Sequence, residues 1–294
     1  MRAHTDGQIS YSGLSARSAK RLMTKQFREA QVSFPEEDAM ELILAATGMS
    51  RTDLTLDGQA LLEPEDANKL SNFEAQRLSG EPIDSILGWR EFYGRRFKVT
   101  KDVLSPRADT ELLVQCGLKA LSEKMVPTCL DLGTGSGAIL ISILSECKDA
   151  TGLGVDISED ALSIARKNAR DLGVINRAGF IRSEWYGSVM GKYDLIVSNP
   201  PYITDKAMKE LEPEVIQYDP DISLRGGPDG LEAYRAILSE SATYLKPGGY
   251  IWVEIGYDQA EAVHSLFVQN DFVDIDVRKD LSGQNRCVGG KNLS

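Results

Sequence analysis

Apolar positions along the chain change their period near residue 90. Before it they recur at helical spacing. In "SARSAKRLMTKQFREAQV" (15–32), Leu22, Met23, Phe27 and Val32 recur at that spacing. "PEEDAMELILAATG" (35–48) opens on Pro35 and acids and closes on Gly48, the residues expected at a helix start and stop. "EPEDANKLSNFEAQRLSG" (63–80) repeats the pattern from Pro64 to Gly80. Three or so short helices of this kind predict a small bundle. "PIDSILGWREFYGRRFKVT" (82–100) has β-formers around Gly88 and Gly94 and predicts a hairpin, and residues 108–124 predict a helix.

From residue 127 strands and helices alternate. Strands are predicted at 128–132, 151–157, 179–184, 193–199, 250–256, 272–280 and 285–290, with helices between most of them, such as 158–173. This alternation predicts a mostly parallel sheet covered on both faces. Only "LSGQ" joins the last two strands, too short for a parallel crossover, so the final strand is expected to run antiparallel. The fold class expected is α/β: a doubly wound, mostly parallel seven-stranded sheet with a small N-terminal helical domain.

Composition adds limits. With 294 residues, 42% hydrophobic and 26% charged, the chain has enough material for a sizeable core in one large or two modest domains. No stretch approaches the ~20 apolar residues of a membrane span. The opening "MRAHTDGQISYSGLS" lacks the apolar core of a secretory leader. It bears serines and few acids, which leaves an organelle-targeting reading beside that of a frayed terminus. The net charge of −11 lacks the basic footprint of a nucleic-acid binder. Cys116, Cys129, Cys147 and Cys287 show no C-x-x-C spacing and suit reduced thiols in the cytoplasm. His4 and His264 are far apart, so neither a histidine metal site nor a histidine-centred triad is expected.

Two stretches carry chemistry. "LDLGTGSGAIL" (130–140) follows the first strand of the alternating region and opens a helix, and Gly133, Gly135 and Gly137 permit a sharp turn close to a ligand. Asp156 ends the next strand, where an acid accepts ribose hydroxyl protons; it could also cap a helix, but Ser158 serves that end equally well. Asp131 faces either a ligand ammonium or its own turn. Trp185, just after the third strand, either covers an adenine or packs in the core. The pattern permits a nucleoside ligand, NAD or S-adenosylmethionine.

"NPPY" (199–202) follows the fourth strand. Ligands of doubly wound sheets bind beyond the carboxyl ends of the strands. If the first and fourth strands are neighbours, Asn199 faces the ligand of the glycine turn. Pro200 and Pro201 stiffen the segment, and Pro200 extends the residue before it. The Asn199 side-chain oxygen and the Pro200 carbonyl can each accept one N–H of a planar –NH2. That nitrogen gains positive charge as it attacks a methyl carbon, and two fixed carbonyl dipoles stabilise the charge and orient the lone pair. Tyr202 can stack on the flat acceptor. No metal is required.

"LDLGTGSGAI", "VDIS.DAL..AR.NA", "YDLIVSNPPYI", "GGPDGLEAYR", "LKPGGYIWVEIG..Q" and "KDLSGQNR" together resemble the protein-(glutamine-N5) methyltransferases that act on class I peptide chain release factors, over roughly residues 35–290. The resemblance implies an S-adenosylmethionine-dependent methyltransferase fold. It implies methyl transfer from S-adenosyl-L-methionine to the side-chain amide of the glutamine in the Gly-Gly-Gln loop of those factors. It places Gly133, Thr134, Gly135, Ser136 and Gly137 along the cofactor, Asp156 on the ribose, Trp185 by the adenine, and Asn199, Pro200, Pro201 and Tyr202 around the acceptor. Asn199, Pro200 and Tyr202 are the catalytic candidates, and Asn199 also borders the cofactor. Arg107, Asp109, Thr110 and Glu111 match a family segment near the active site, without individual roles. Glu184 stands where the family usually has Asp, and Asp221 where arginine is common. The organisation implied is an extension (1–16), a helical substrate-docking domain (17–81), a linker hairpin (82–104) and a catalytic domain (105–294), in a cytoplasmic monomer without nucleic-acid or membrane contact. Alternatives are the related enzyme that modifies a glutamine of a large-subunit ribosomal protein and an adenine-N6 nucleic-acid methyltransferase.

Overall fold

The computed structural model describes residues 10–211 and 213–293 and divides the chain into two compact units, 1–88 and 89–294. Readings that concern residues 1–9, including a leader and His4, lie outside the described residues.

The described residues of the first unit hold five helices: α1 (Ala16–Glu29), α2 (Pro35–Thr47), α3 (Arg51–Asp57), α4 (Pro64–Leu78) and α5 (Ile83–Leu87). The caps follow the sequence. Ser15 accepts the Ser18 N–H at the start of α1, and Gly48 ends α2 in the left-handed region. Met23, Phe27, Leu42, Ile43 and Leu70 are fully buried in one core. The stretch read as an extension contributes Tyr11 and Ala16 to this core. Tyr11 is fully buried, and its hydroxyl donates to Glu74 at 2.7 Å. Two helices were not expected. α3 is marked by a capping box of Ser50 and Asp53. α5 occupies the first part of the segment read as hairpin, between Pro82 and a left-handed Gly88.

The second unit opens with the hairpin β1 (Trp89–Phe92) and β2 (Arg95–Lys98), then α6 (Glu111–Leu121) behind a 3-10 turn at Ala108–Thr110. The alternating region follows: β3 (Thr128–Leu132), α7 (Ala138–Glu146), β4 (Thr151–Asp156), α8 (Glu159–Asp171), β5 (Ala178–Arg182), β6 (Tyr193–Ser198), α9 (Pro213–Tyr218), α10 (Glu232–Tyr244), β7 (Leu245–Glu254), α11 (Ala260–Gln269), β8 (Val273–Lys279) and β9 (Asn285–Lys291).

The seven strands β3–β9 form one sheet in the order β5-β4-β3-β6-β7-β9-β8. Its pairs are parallel except those of β9, which runs antiparallel to both β7 and β8. Apolar side chains of the central strands are buried on both faces, in two clusters that include Ile139, Ile143 and Leu195 on one side and Leu130, Ile196 and Val253 on the other. This explains the nearly unbroken apolar runs of the parallel strands. β7 starts five residues before the stretch read as strand, with a register shift opposite Tyr193 and Leu195. The strand order reverses between β3 and β6, which are neighbours, so their carboxyl ends open a crevice between the glycine turn and NPPY.

Candidate active site

The glycine turn is built by its own backbone. Gly133, Gly135 and Gly137 have φ of 70°, 53° and 81°, a region costly for any residue with a Cβ. Thr134 N–H donates to the Val155 carbonyl at 2.9 Å, which ties the turn to β4. The Asp156 carboxylate holds it from the other side, accepting Gly135 N–H and Ser158 N–H, each at 2.9 Å. Ser158 caps α8 through Ala161 N–H, as its position suggests. Asp156 is therefore both a brace for the turn and a half-buried acid with lone pairs left over. Asn168 fastens the region further: its amide donates to the Ser136 and Lys98 carbonyls and accepts Lys98 N–H.

Asp131 takes the second of its two readings. It is fully buried and accepts the Thr134 hydroxyl at 2.6 Å within its own turn, while Oδ1 has no hydrogen-bond partner among the described residues. Burial pushes its carboxyl up to about 7.

Gly133, Thr134, Gly135, Ser136, Asp156, Trp185, Asn199 and Pro201 line one cavity of about 310 Å³, the size of a small-molecule site. Tyr202 borders a second space of about 20 Å³, which Asn199 and Arg107 share. Gly137 and Pro200 line neither. Gly137 caps α7 instead, where a Cβ would stand 2.7 Å from Ile141 Cδ1 and 3.2 Å from the Ala165 Cβ of α8. Trp185 sits at φ 43°, a strained backbone for an aromatic residue, and Ser183 holds that turn by donating to the Trp185 carbonyl and accepting Ser188 N–H.

NPPY is held from behind. The side chain of Gln259, in the segment after β7, donates to the carbonyls of Tyr202 and Gly230, both at 3.1 Å, and accepts Gly256 N–H. A Cβ on Gly226 would come within 2.7 Å of the Tyr202 backbone, so only glycine admits this packing. The "GGPDGLEAYR" and "EIG..Q" stretches therefore brace the turn. Asn199 Nδ2 donates to Thr110 Oγ1 at 3.3 Å. Among the described residues no donor reaches Asn199 Oδ1 or the Pro200 carbonyl.

The segment 107–111 also acquires contacts. Arg107 lies 3.6 Å from Asp219, Asp109 lies 3.2 Å from Arg286, and Glu111 accepts Tyr93 N–H. Sequence reasoning missed Ile157 and Ile222, which line the cavity with 41% and 60% of their surface exposed. It also missed Arg225, at the cavity and paired with both Asp205 and Asp221, and Glu254, which is 1% exposed. An exposed isoleucine directly after the acid was the one signal available; the others come from distant segments.

These residues fit S-adenosylmethionine. Apolar faces at Ile157 and Trp185 suit a purine, the acids Asp156 and Glu184 suit a ribose and a cation, and the glycine backbone leaves room for close approach.

Two family models match parts of the chain. The Methyltransferase small domain matches residues 108–227, and the PrmC N-terminal domain matches residues 18–88. The Release factor glutamine methyltransferase of Caulobacter vibrioides is 41% identical over 266 residues, covering 90% of this chain and 92% of that one. The protein of the same name from Agrobacterium fabrum is 41% identical, covering 90% and 93%. That of Bradyrhizobium diazoefficiens is 38% identical, covering 96% and 97%. Among solved structures, a methyltransferase of Pyrococcus furiosus superposes with a TM-score of 0.52 at 15% identity, covering 76% of this chain and all of that one, which shows a shared fold. The chain accordingly belongs to the release factor glutamine methyltransferase family, a family of S-adenosylmethionine-dependent enzymes.

Proposed function

We propose that this protein methylates the side-chain amide nitrogen of the glutamine in the Gly-Gly-Gln loop of class I peptide chain release factors. The observation that carries this reading is a pair of acceptors at one rigid turn that no donor among the described residues reaches, Asn199 Oδ1 and the Pro200 carbonyl, with Asn199 lining the glycine-lined cavity. S-adenosylmethionine, when bound, supplies a methyl group on a sulfonium sulfur.

The chain's own residues do the rest. Gly133, Thr134, Gly135, Ser136 and Gly137 shape the cofactor side, Asp156 receives the ribose hydroxyls, and Trp185 and Ile157 flank the adenine. Asn199 Oδ1 and the Pro200 carbonyl accept the two N–H groups of the glutamine amide. They fix its plane and stabilise the positive charge that grows on nitrogen. Pro201 keeps the turn rigid, and Tyr202 packs against the acceptor. The surplus proton leaves to water after transfer.

A turn this small reads an amide, not a protein. Choice of substrate therefore falls to the helical unit, residues 17–81, as a docking domain, with 82–104 linking it to the catalytic residues 105–294. The enzyme works as a monomer in the cytoplasm, a setting that suits its four free cysteines. No helix among the described residues is long and apolar enough to cross a membrane.

The test is incubation with labelled S-adenosylmethionine and, in parallel, a purified class I release factor, the large-subunit ribosomal protein and DNA. Mass spectrometry is expected to place one added CH2 on the release-factor glutamine, with Asn199→Ala abolishing the signal while cofactor binding persists. Label on the ribosomal protein or DNA alone, or normal kcat in Asn199→Ala, overturns the reading.

A further inference from the structure

The helical unit carries its charge unevenly. Helix α1 holds five basic residues, Arg17, Lys20, Arg21, Lys25 and Arg28, and one acid, Glu29. The other residues of 1–88 include four basic residues and thirteen acids. Spacing decides where the basic groups lie. Ala16, Ala19, Met23 and Phe27 recur every three or four residues and are buried in the core of the unit. The five basic residues stand at i, i+3, i+4, i+8 and i+11, so they share another face of the helix. Arg21, Lys25 and Arg28 are exposed, and Arg17 and Lys20 are half-buried. Together with Thr24 and Glu36 these side chains line a groove of about 490 Å³.

Little within the unit neutralises this face. Arg28 pairs with Glu36, and Lys25 lies 3.7 Å from Glu29. Arg17 donates to a neutral partner, the Thr55 carbonyl, at 2.6 Å. Among the described residues no ion pair engages Lys20 or Arg21. Like charges four residues apart, as at Arg17 and Arg21 or Arg21 and Lys25, destabilise a helix. The row therefore brings the fold no gain, whereas an anion from outside would relieve the repulsion.

We propose that the basic face of α1 is the surface by which the helical unit docks an acidic face of its protein substrate, the class I release factor. This rests on the methyl-transfer reading and adds to it the place and the chemistry by which the substrate is held.

Charge complementarity favours protein carboxylates over a nucleic-acid backbone. The basic row is about 16 Å long, and charges are felt over about 10 Å at 0.1 M salt. A longer polyanion passing the row meets a chain whose net charge is −11 and a unit whose other residues are mostly acidic among their charges. It is repelled at both ends. A compact acidic patch on a folded protein can be matched within the row. The same segregation of charge orients the partner, since its acids are attracted to α1 and repelled elsewhere. Exposed charges of this kind act mainly on encounter and on salt dependence, and leave the chemistry at the Asn199 turn unchanged.

The experiment measures initial rates of the full-length protein with S-adenosylmethionine and a class I release factor, between about 50 and 300 mM salt. Wild-type kcat/KM is expected to fall as salt rises. Lys20→Glu combined with Arg21→Glu is expected to raise the release-factor KM about tenfold or more at the lowest salt, with kcat at saturation and cofactor Kd by calorimetry within about twofold. Its salt dependence is expected to flatten. Lys20→Arg combined with Arg21→Lys, which keeps both charges, is expected to stay within about twofold of wild type. Should the reversed variant fold poorly by circular dichroism, Lys20→Ala combined with Arg21→Ala decides, with KM expected to rise about threefold or more. An unchanged KM in the charge variants, or a loss confined to kcat, overturns the docking face. Single-stranded RNA that binds wild type and not the reversed variant, with the release-factor KM unchanged, assigns the face to nucleic acid and overturns the proposal too. Failure of the wild-type enzyme to methylate the release factor overturns the function itself; methylation with KM indifferent to these charges overturns only the docking face.

Discussion

Asp156 shows how one side chain serves structure and ligand together. Its two oxygens take backbone N–H groups from the glycine turn and from the start of α8, and the carboxylate still borders the cavity. Asp156→Ala removes a ligand acceptor and leaves two amide donors without their partner. Cofactor affinity by calorimetry is expected to fall about tenfold or more, with a stability loss of about 1–3 kcal/mol. Unchanged affinity would separate the brace from the ribose role. Trp185 makes the complementary case. Its left-handed backbone is held by Ser183, so strain is kept where a flat surface is wanted.

At the scale of elements, the third glycine of the turn belongs to helix packing. Gly137 begins α7 at φ 81° and lets α7 approach α8 at Ala165. Gly137→Ala adds a Cβ in a disfavoured conformation and against Ile141. Thermal unfolding is expected to drop by several degrees, for a cost of about 1–3 kcal/mol. A Tm within a degree of wild type would show that α7 and α8 can shift apart. The Asn199 turn likewise owes its position to neighbours. β3 and β6 lie side by side, and Gln259 reaches back to the Tyr202 carbonyl from beyond β7.

Over the whole molecule, two buried carboxyls affect the stability of the catalytic unit. Burial raises both Asp131 and Glu254 to about 7, from ordinary values near 4. A group that holds its proton more tightly when folded adds stability that is complete below its unfolded value and is lost as pH rises through its folded value. Each contribution is thus expected to fade between about pH 4 and pH 7, by an amount on the order of 2–4 kcal/mol. Asp131→Asn keeps the Thr134 bond without the ionisation. Its stability relative to wild type is expected to improve as pH rises from 5 to 8. Trp89, Trp185 and Trp252 all lie in the second unit, so denaturant unfolding followed by tryptophan fluorescence reads this unit alone. A wild-type-to-variant difference that does not change with pH would mean that Asp131 does not titrate in this range.

Much of this was legible in the residues. The shift from helical spacing to alternating strands located the sheet, and the four-residue link before the last strand required its antiparallel course. The stretches "LDLGTGSG", "VDIS" and "NPPY" named the cavity's main lining, because turn geometry and ligand contact there lie within a few consecutive residues. The short helix α5 was not legible. A single turn carries little periodicity, and its form depends on its caps and on packing against α2 and α4. The insertion of β9 between β7 and β8 was hidden too, since strand order follows from how faces pack and not from any local pattern.

What the sequence determined by itself was the chemistry: a glycine turn, an acid and a stiff amide-bearing segment, each written in adjacent residues. What only the tertiary structure decided was the aim. Thr110 and Asn199 are far apart along the chain and meet because the turn before α6 folds against the end of β6. Hydrogen bonds act over about 3 Å of space whatever the chain length between the partners, so a contact of this kind leaves no mark in any one stretch of sequence.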